Sequence, residues 1–329
     1  MNNNSLLKPN EKKLPAKFLM SGKIWGLLIL ILSYSFLAYK LITFNQYGAM
    51  LDQWRKLPAS QFWWLGFVLL LLPFNWLLES FKWKLLVSTV QKITIPHAIK
   101  AVLAGISTGF ITPNRVGEFA GRILFLKTEN RKAGVTLSVV NSLTQNIIMA
   151  LCGLPAALLF FSYKTGKLET DLIQYLIVMI ICLLIFGLIY FNIPKIAKHY
   201  QHSRFVAKIK GFTDCLSGFS SMKLVQILLV SFVRYLIFCF QFFLLLRFFN
   251  IELMPWQAIL AIPTTYLFVT FTPSLAFSEA AVRSSYAVLF IGVFASQIAG
   301  IALAGVCIWV INFVIPMLVG SVVLAKSKM

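Results

Sequence analysis

Glu118 stands four residues before Arg122, and Glu279 four before Arg283, and each pair follows a Thr-Pro step, Thr112-Pro113 and Thr272-Pro273. The chain holds only ten acidic residues, and two of them occupy the same place in this repeated phrase. A charge near the centre of a bilayer costs roughly 2.5 to 3.5 kcal/mol on insertion scales, so the four would cost on the order of 10 kcal/mol unless paired or wetted. At a spacing of four, Glu and Arg share one helix face and can neutralise each other. Lining a cavity, the same groups would meet the phosphate or amine of a polar ligand. Spacing alone leaves both readings open.

Other polar groups in apolar surroundings join them as candidate substrate-binding residues. Arg115 lies in the bend between short apolar pieces, where it would bind a phosphate or satisfy backbone carbonyls. Arg234 sits near the middle of an apolar run, too deep to reach the interface, and so must face protein or water. Its expected partners are Glu79, a hairpin glutamate or substrate. Ser138, Asn141, Ser142 and Gln145 follow helical spacing and serve either as helix-to-helix glue or as cavity lining.

Catalytic and metal chemistry is poorly supplied. Asp52, Asp171 and Asp214 are the only aspartates, without the paired arrangement that metal-diphosphate chemistry needs, and there is no glycine-rich nucleotide loop or zinc motif. Glu118 as a lone general base is weak ground for an enzyme. His199 and His202 lack a third ligand nearby, and Cys152, Cys182, Cys215, Cys239 and Cys307 have no paired spacing, so no metal site, cofactor or disulfide is expected. No ATP site is read, so a lipid or ion gradient must supply any energy.

The elements that must hold these groups are membrane helices. Hydrophobic residues make up 59% and charged residues 12%, where soluble domains carry about 25% charge, and several runs exceed the ~20 residues that cross a bilayer. Spans are expected at about Ile24–Phe44, Gln61–Val90, Gly134–Ser162, Leu172–Phe191, Leu224–Phe249 and Ile298–Ala325. Glu79 to Lys84 closes the second run with aromatic and basic residues that suit an interface. Two further regions are broken by proline: His97–Ile111 with Phe119–Leu126, and Trp256–Phe271 with Ser278–Phe294. Neither His97–Ile111 nor Phe119–Leu126 spans comfortably alone, and irregular backbone at that depth is tolerated only inside protein or beside water.

The expected fold is thus an all-α polytopic membrane protein with about six spanning helices and two re-entrant helical hairpins, about 97–126 and 256–294, in one domain at 23–326. A basic cytoplasmic tail, 1–22, precedes it, with no cleavage site after the first run. Three spans separate the hairpins, so they should enter from opposite faces as an inverted-topology repeat, a device that places substrate near the midplane and turns half-helix N-termini toward anions. With both termini cytoplasmic, Lys82 to Lys100, Lys127 to Lys132 and Lys195 to Lys223 fall inside, and the outer loops hold fewer basic residues. The net charge of +20 then reflects topology and anionic lipid, with 195–223 as an amphipathic segment on that surface, and not a nucleic-acid partner.

Lys82-Trp83-Lys84-Leu85-Leu86, Ala104-Gly105 through Thr112-Pro113-Asn114-Arg115-Val116-Gly117-Glu118 with Arg122, and Pro273 through Ser278-Glu279-Ala280-Ala281 resemble the flippase-like membrane domain of lysylphosphatidylglycerol synthetases over roughly residues 20 to 325. Ser274-Leu275-Ala276-Phe277 stands where the family is rich in glycine, Asn141, Ser142, Gln145 and Asn146 where it carries an acidic-basic pair, and no arginine appears near Trp309. The resemblance implies a non-enzymatic lipid transporter of the bacterial cytoplasmic membrane. It would move an anionic, aminoacylated or polyprenyl-linked lipid between leaflets, with Arg115, Arg122, Arg234 and Arg283 meeting phosphate and Glu118 and Glu279 holding the arginines, a cationic headgroup or a proton. A lipid-modifying enzyme and an accessory subunit of an envelope assembly are the alternatives. The expected partners are a phospholipid or polyprenyl lipid, the anionic lipid surface and, in a homodimer, a second copy of the chain.

Overall fold

The computed structural model describes residues 58–110, 112, 115–166, 170–200, 210–273 and 276–327. The expected tail, the first span at 24–44, the hairpin positions 113–114 and 274–275, and His202 lie outside the described residues. No strand occurs among the described residues. A 3-10 turn at Ala59–Gln61 leads into α1 (Phe62–Val87), followed by α2 (Ile95–Phe110), α3 (Gly117–Ile123), α4 (Arg131–Thr165) and α5 (Thr170–Tyr200). Then come α6 (Lys210–Ser217), α7 (Ser221–Phe248), α8 (Pro255–Phe271), α9 (Ala276–Ile291), α10 (Ile298–Trp309) and α11 (Ile315–Lys326). Among the described residues, five stretches are long and apolar enough to cross a membrane: Ala59–Val87, Thr128–Lys164, Met179–His199, Ser221–Phe248 and Ile298–Lys326.

Two expectations are corrected. The helix α5 does not stop at Phe191 but runs through Pro194 to Tyr200, so Lys195 and Lys198 belong to a membrane-length helix and not to a separate surface segment. The last span is interrupted: Val310–Val314 is a π-helical turn between α10 and α11. Pro316 has no N–H to give to the carbonyl of Asn312, four residues back, and a widened turn just before such a residue relieves the lost bond.

The hairpin breaks have local causes. Thr272 precedes Pro273 and adopts an extended ψ of 116°, as the ring of a following proline requires. In the first hairpin Arg115 takes a left-handed φ of 58°, a conformation that holds a non-glycine residue only where its surroundings fix it. Thr112 Oγ1 accepts from the Gly117 N–H at 2.7 Å and so caps the start of α3. The two threonines of the repeated phrase then diverge, since Thr272 Oγ1 pairs with the Tyr286 hydroxyl at 2.9 Å.

Close packing in the first hairpin rests on two small-residue steps, Gly105 and Gly109 on α2 against Gly117 and Gly121 on α3. A methyl at Gly121 would strike the Ala104 carbonyl and the Thr108 hydroxyl, and one at Gly109 the Glu118 side chain. Such spacing lets helix backbones approach where hydrophobic force gives no preference for protein over lipid.

The two hairpins start from opposite ends of the bundle. At one end His97 Nε2 donates to the Phe125 carbonyl at 2.6 Å, the Lys127 N–H to Gln91 Oε1 at 3.1 Å and Lys223 Nζ to Ser88 Oγ at 3.3 Å. Both outer ends of the α2–α3 pair are therefore here, with the basic loops. At the other end Tyr163 packs on Trp256 with ring centroids 5.3 Å apart, and Trp256 on Phe294 at 5.5 Å. This end holds both outer ends of the α8–α9 pair. Between them lies a large apolar core built mainly from α1, α7, α8 and α10.

Candidate functional site

The tips of the two hairpins meet over a cavity of about 500 Å³, within the range of 300 to 1,000 Å³ usual for small-ligand sites. Arg115, Glu118, Arg122, Asn141, Gln145, Arg234, Glu279 and Arg283 all line it. These eight candidates from the sequence are thus brought to one place, from four separate helices and one bend. Ser142 joins the lining, whereas Ser138 is buried and donates to the Gly134 carbonyl at 2.9 Å, a helix-internal role.

Glu79 is the hub. Its Oε1 accepts from Arg122 Nη2 at 2.7 Å and from Asn141 Nδ2 at 2.8 Å, while its Oε2 lies 2.7 Å from Arg234 Nη1 and 3.3 Å from Lys82 Nζ. Arg122 divides itself between Glu79 and Glu118, whose Oε2 it reaches at 3.0 Å. Glu79 and Lys82 are not at an interface, contrary to the expectation for residues 79–84, and Lys82 does not contribute a loop charge: both side chains are buried, as is Trp83. Positions 79, 82, 83 and 86 recur at helical spacing and turn one face of α1 inward. A charge taken out of water persists only when paired and hydrogen-bonded, and here three cations share one carboxylate.

A second, smaller group belongs to the other hairpin. Glu279 Oε1 accepts from Arg283 Nη2 at 3.0 Å, and Glu279 Oε2 accepts from Arg115 Nη2 at 2.7 Å and from its Nε at 3.2 Å. Arg115 also stands 3.8 Å from Glu118 Oε1, so it bridges both groups. Its guanidinium lies over the Phe313 ring, 3.4 Å from the centroid, which adds a cation–π contact to the ion pairs. Arg115 is therefore held by two carboxylates and a ring. The local Glu–Arg pairs form as the spacing predicts, and pairing and cavity lining prove compatible.

The N-terminus of each second hairpin helix carries its own glutamate, Glu118 in the first turn of α3 and Glu279 in that of α9. The partial positive charge at each of these ends is met by that glutamate.

Sequence reasoning missed the amide relay beneath the cavity. Arg234 Nε donates to Asn75 Oδ1 at 2.6 Å, Asn75 Nδ2 to Asn312 Oδ1 at 3.2 Å, Asn312 Nδ2 to Gln241 Oε1 at 3.1 Å, and Gln241 Nε2 to the Val68 carbonyl at 3.0 Å. It joins α1, α7 and the π-helical turn, and fixes the arginine that grips Glu79. The signal was present as single amides inside long apolar runs, where a polar group needs a partner on another helix.

Some polar groups remain unbonded: Arg122 Nε and Nη1, Arg283 Nε and Gln145 Nε2 are buried without a hydrogen-bond partner. Among the described residues no cluster of histidine, cysteine or acidic side chains could hold a metal ion. Cys152, Cys215, Cys239 and Cys307 form no disulfide with one another.

The profile of the lysylphosphatidylglycerol synthase TM region matches residues 23–320. No curated protein and no solved structure matches the chain.

Proposed function

The chain belongs to the lysylphosphatidylglycerol synthase TM-region family, and we propose that it moves a lipid with an anionic, aminoacylated or polyprenyl-linked headgroup between the leaflets of the bacterial cytoplasmic membrane, without chemical change to it. One observation carries the reading. Two helical hairpins from opposite ends of a bundle of membrane-length helices meet tip to tip over a charged cavity.

In this reading both hairpins are re-entrant, the basic end of the bundle faces the cytoplasm, and the headgroup enters the cavity while its acyl chains stay in lipid. Arginine suits the task, because its planar fork pairs with phosphate oxygens two at a time. Separating the α2–α3 tip from the α8–α9 tip would expose the cavity to one leaflet and then the other, as alternating access between inverted repeats requires. The basic loops meet anionic lipid on the inner surface.

The test is reconstitution in liposomes with fluorescent lipids of several headgroups, comparing the wild type with Glu118→Gln, Arg122→Ala, Glu279→Gln and Arg283→Ala. Each variant is expected to slow lipid movement at least about tenfold, the effect of a lost contact of roughly 1.4 kcal/mol. Wild-type rates in all four would refute the mechanism. Appearance of a modified lipid would assign the cavity to catalysis.

A further inference from the structure

Helix α4 runs beside both hairpins, and each covers a different part of it. Near its start Gly134 packs against Ile123 and Leu126 of the first hairpin; beyond its middle Gly153 packs against Leu267 of the second. Between these contacts α4 carries Ser142 and Asn146, which line the cavity, and Asn146 is exposed. It stands midway along the Thr128–Lys164 stretch. Phe271 and Pro273, at the tip of the second hairpin, line the cavity and are exposed as well, whereas Arg122 and Asn312 deeper in the lining are buried. Among the described residues the cavity thus opens sideways, between α4 and the α8 tip, at a depth where a spanning helix is surrounded by hydrocarbon.

The opposite side is closed. There the last span backs both hairpins: Ser107 Oγ of α2 donates to the Met317 carbonyl at 2.5 Å, and Ser284 Oγ of α9 to the Ala302 carbonyl at 2.9 Å. Between these two bonds the Phe313 ring lies against the guanidinium groups of Arg115 and Arg283, with centroid distances of 3.4 and 5.2 Å.

An amide that faces hydrocarbon is costly unless water or a polar partner meets it. The neighbouring exposed positions of α4, Val139 and Leu143, are apolar, as lipid contact requires; Asn146 breaks that row where the row meets the cavity. We propose that this gap is a lateral window through which a membrane lipid occupies the cavity. The headgroup lies inside, the polar linkage between headgroup and chain lies against Ser142, Asn146 and Thr270, and the chain passes out over Phe271 into the bilayer. The inference rests on the reading of the cavity as a headgroup site and names its entrance. Hydroxyl and amide groups both donate and accept hydrogen bonds, which suits the ester oxygens of such a linkage whatever headgroup precedes it. The window also spares the chain a passage through the charged interior.

The experiment measures binding to the purified full-length chain in detergent, by thermal stabilisation, beside lipid movement in liposomes. The probes are phosphatidylglycerol, a polyprenyl monophosphate and glycerol phosphate. Asn146→Trp narrows the window, so both lipids should bind about tenfold or more weakly and move correspondingly slower. Glycerol phosphate, which has no chain to thread, should bind the variant and the wild type alike. Leu143→Trp, one turn away and outside the lining, should change nothing, and Asn146→Ala, which keeps the gap open, should hold lipid binding within about threefold. Ser142→Phe should repeat the block from the neighbouring turn. Wild-type lipid binding in both Asn146→Trp and Ser142→Phe would overturn the window, as would an equal loss of glycerol phosphate and lipid. Failure of both variants to fold would mean that protein fills the gap, and would overturn it too. Binding does not depend on transport: lipid binding that Asn146→Trp abolishes, in a protein that moves no lipid, would refute the transport reading alone. Lipid movement that neither variant slows would refute the window alone.

Discussion

Arg115 and Glu279 come from hairpins 164 residues apart in sequence, and their side chains meet with Nη2 2.7 Å from Oε2. This pair, backed by Phe313 beneath the guanidinium, is what joins the two charge groups of the cavity into one. It also explains the left-handed backbone at Arg115: a strained tip is tolerated when its surroundings over-determine it. In the proposed transport cycle, this contact between two separately anchored hairpins is the place to open.

The coupling between the two residues is measurable. Unfolding of Arg115→Ala, Glu279→Gln and the double variant in detergent should give a coupling energy of about 1 kcal/mol or more, in the range found for residues in one ion-pair network. Additive effects would mean that the pair contributes nothing to holding the tips together.

Glu79 should matter more to folding than either hairpin glutamate. Glu79→Gln leaves the buried Lys82 and Arg122 and the partly buried Arg234 without their shared counter-charge, and breaking a buried pair in this way costs about 3 to 5 kcal/mol. Glu118→Gln, at a side chain 18% exposed, should cost clearly less. Thermal unfolding of the two variants side by side decides the order, and equal midpoints would remove Glu79 from its place as the hub.

The glycine contacts of the first hairpin give a steric prediction. Gly121→Ala drives a methyl into the Ala104 carbonyl and the Thr108 hydroxyl, while Gly66→Ala meets nothing within 4 Å. Overpacking of this kind costs about 1 to 3 kcal/mol, so Gly121→Ala should lower the unfolding temperature and Gly66→Ala should leave it unchanged or raise it.

How far the site was legible in the sequence depends on what each residue needed. Glu118 with Arg122 and Glu279 with Arg283 were visible because both members sit on one helix turn. Arg234, alone in an apolar run, declared that it had a partner, and Glu79 was among those proposed. The burial of Lys82 was not legible, since lysine and tryptophan near the end of an apolar run fit an interface equally well, and only the packing of α1 against α2 and α7 turns that face inward. The π-helical turn was equally hidden: Pro316 marks a missing hydrogen bond, but which way the helix relieves it depends on Asn312 finding Asn75 and Gln241. The cross-hairpin pair of Arg115 and Glu279 could not be read at all, because it depends on how deep each tip reaches.

The proposed sidedness is tested at the two ends of the bundle. Single cysteines at Ser88→Cys and Lys326→Cys, in a background without the native cysteines, should react with an impermeant thiol reagent only from the cytoplasmic side. Gly166→Cys and Ser296→Cys should react only from outside. Reaction of all four from one side would refute the opposed entry of the hairpins.

The central claim, that a headgroup passes where the hairpin tips meet, is tested most directly by tying the tips together. Arg115→Cys and Glu279→Cys, placed in the cysteine-free chain and joined by a reducible bis-thiol cross-linker in proteoliposomes, should stop lipid movement, and reduction should restore it to the rate of the uncross-linked double variant. Unchanged lipid movement in the cross-linked protein would contradict the account.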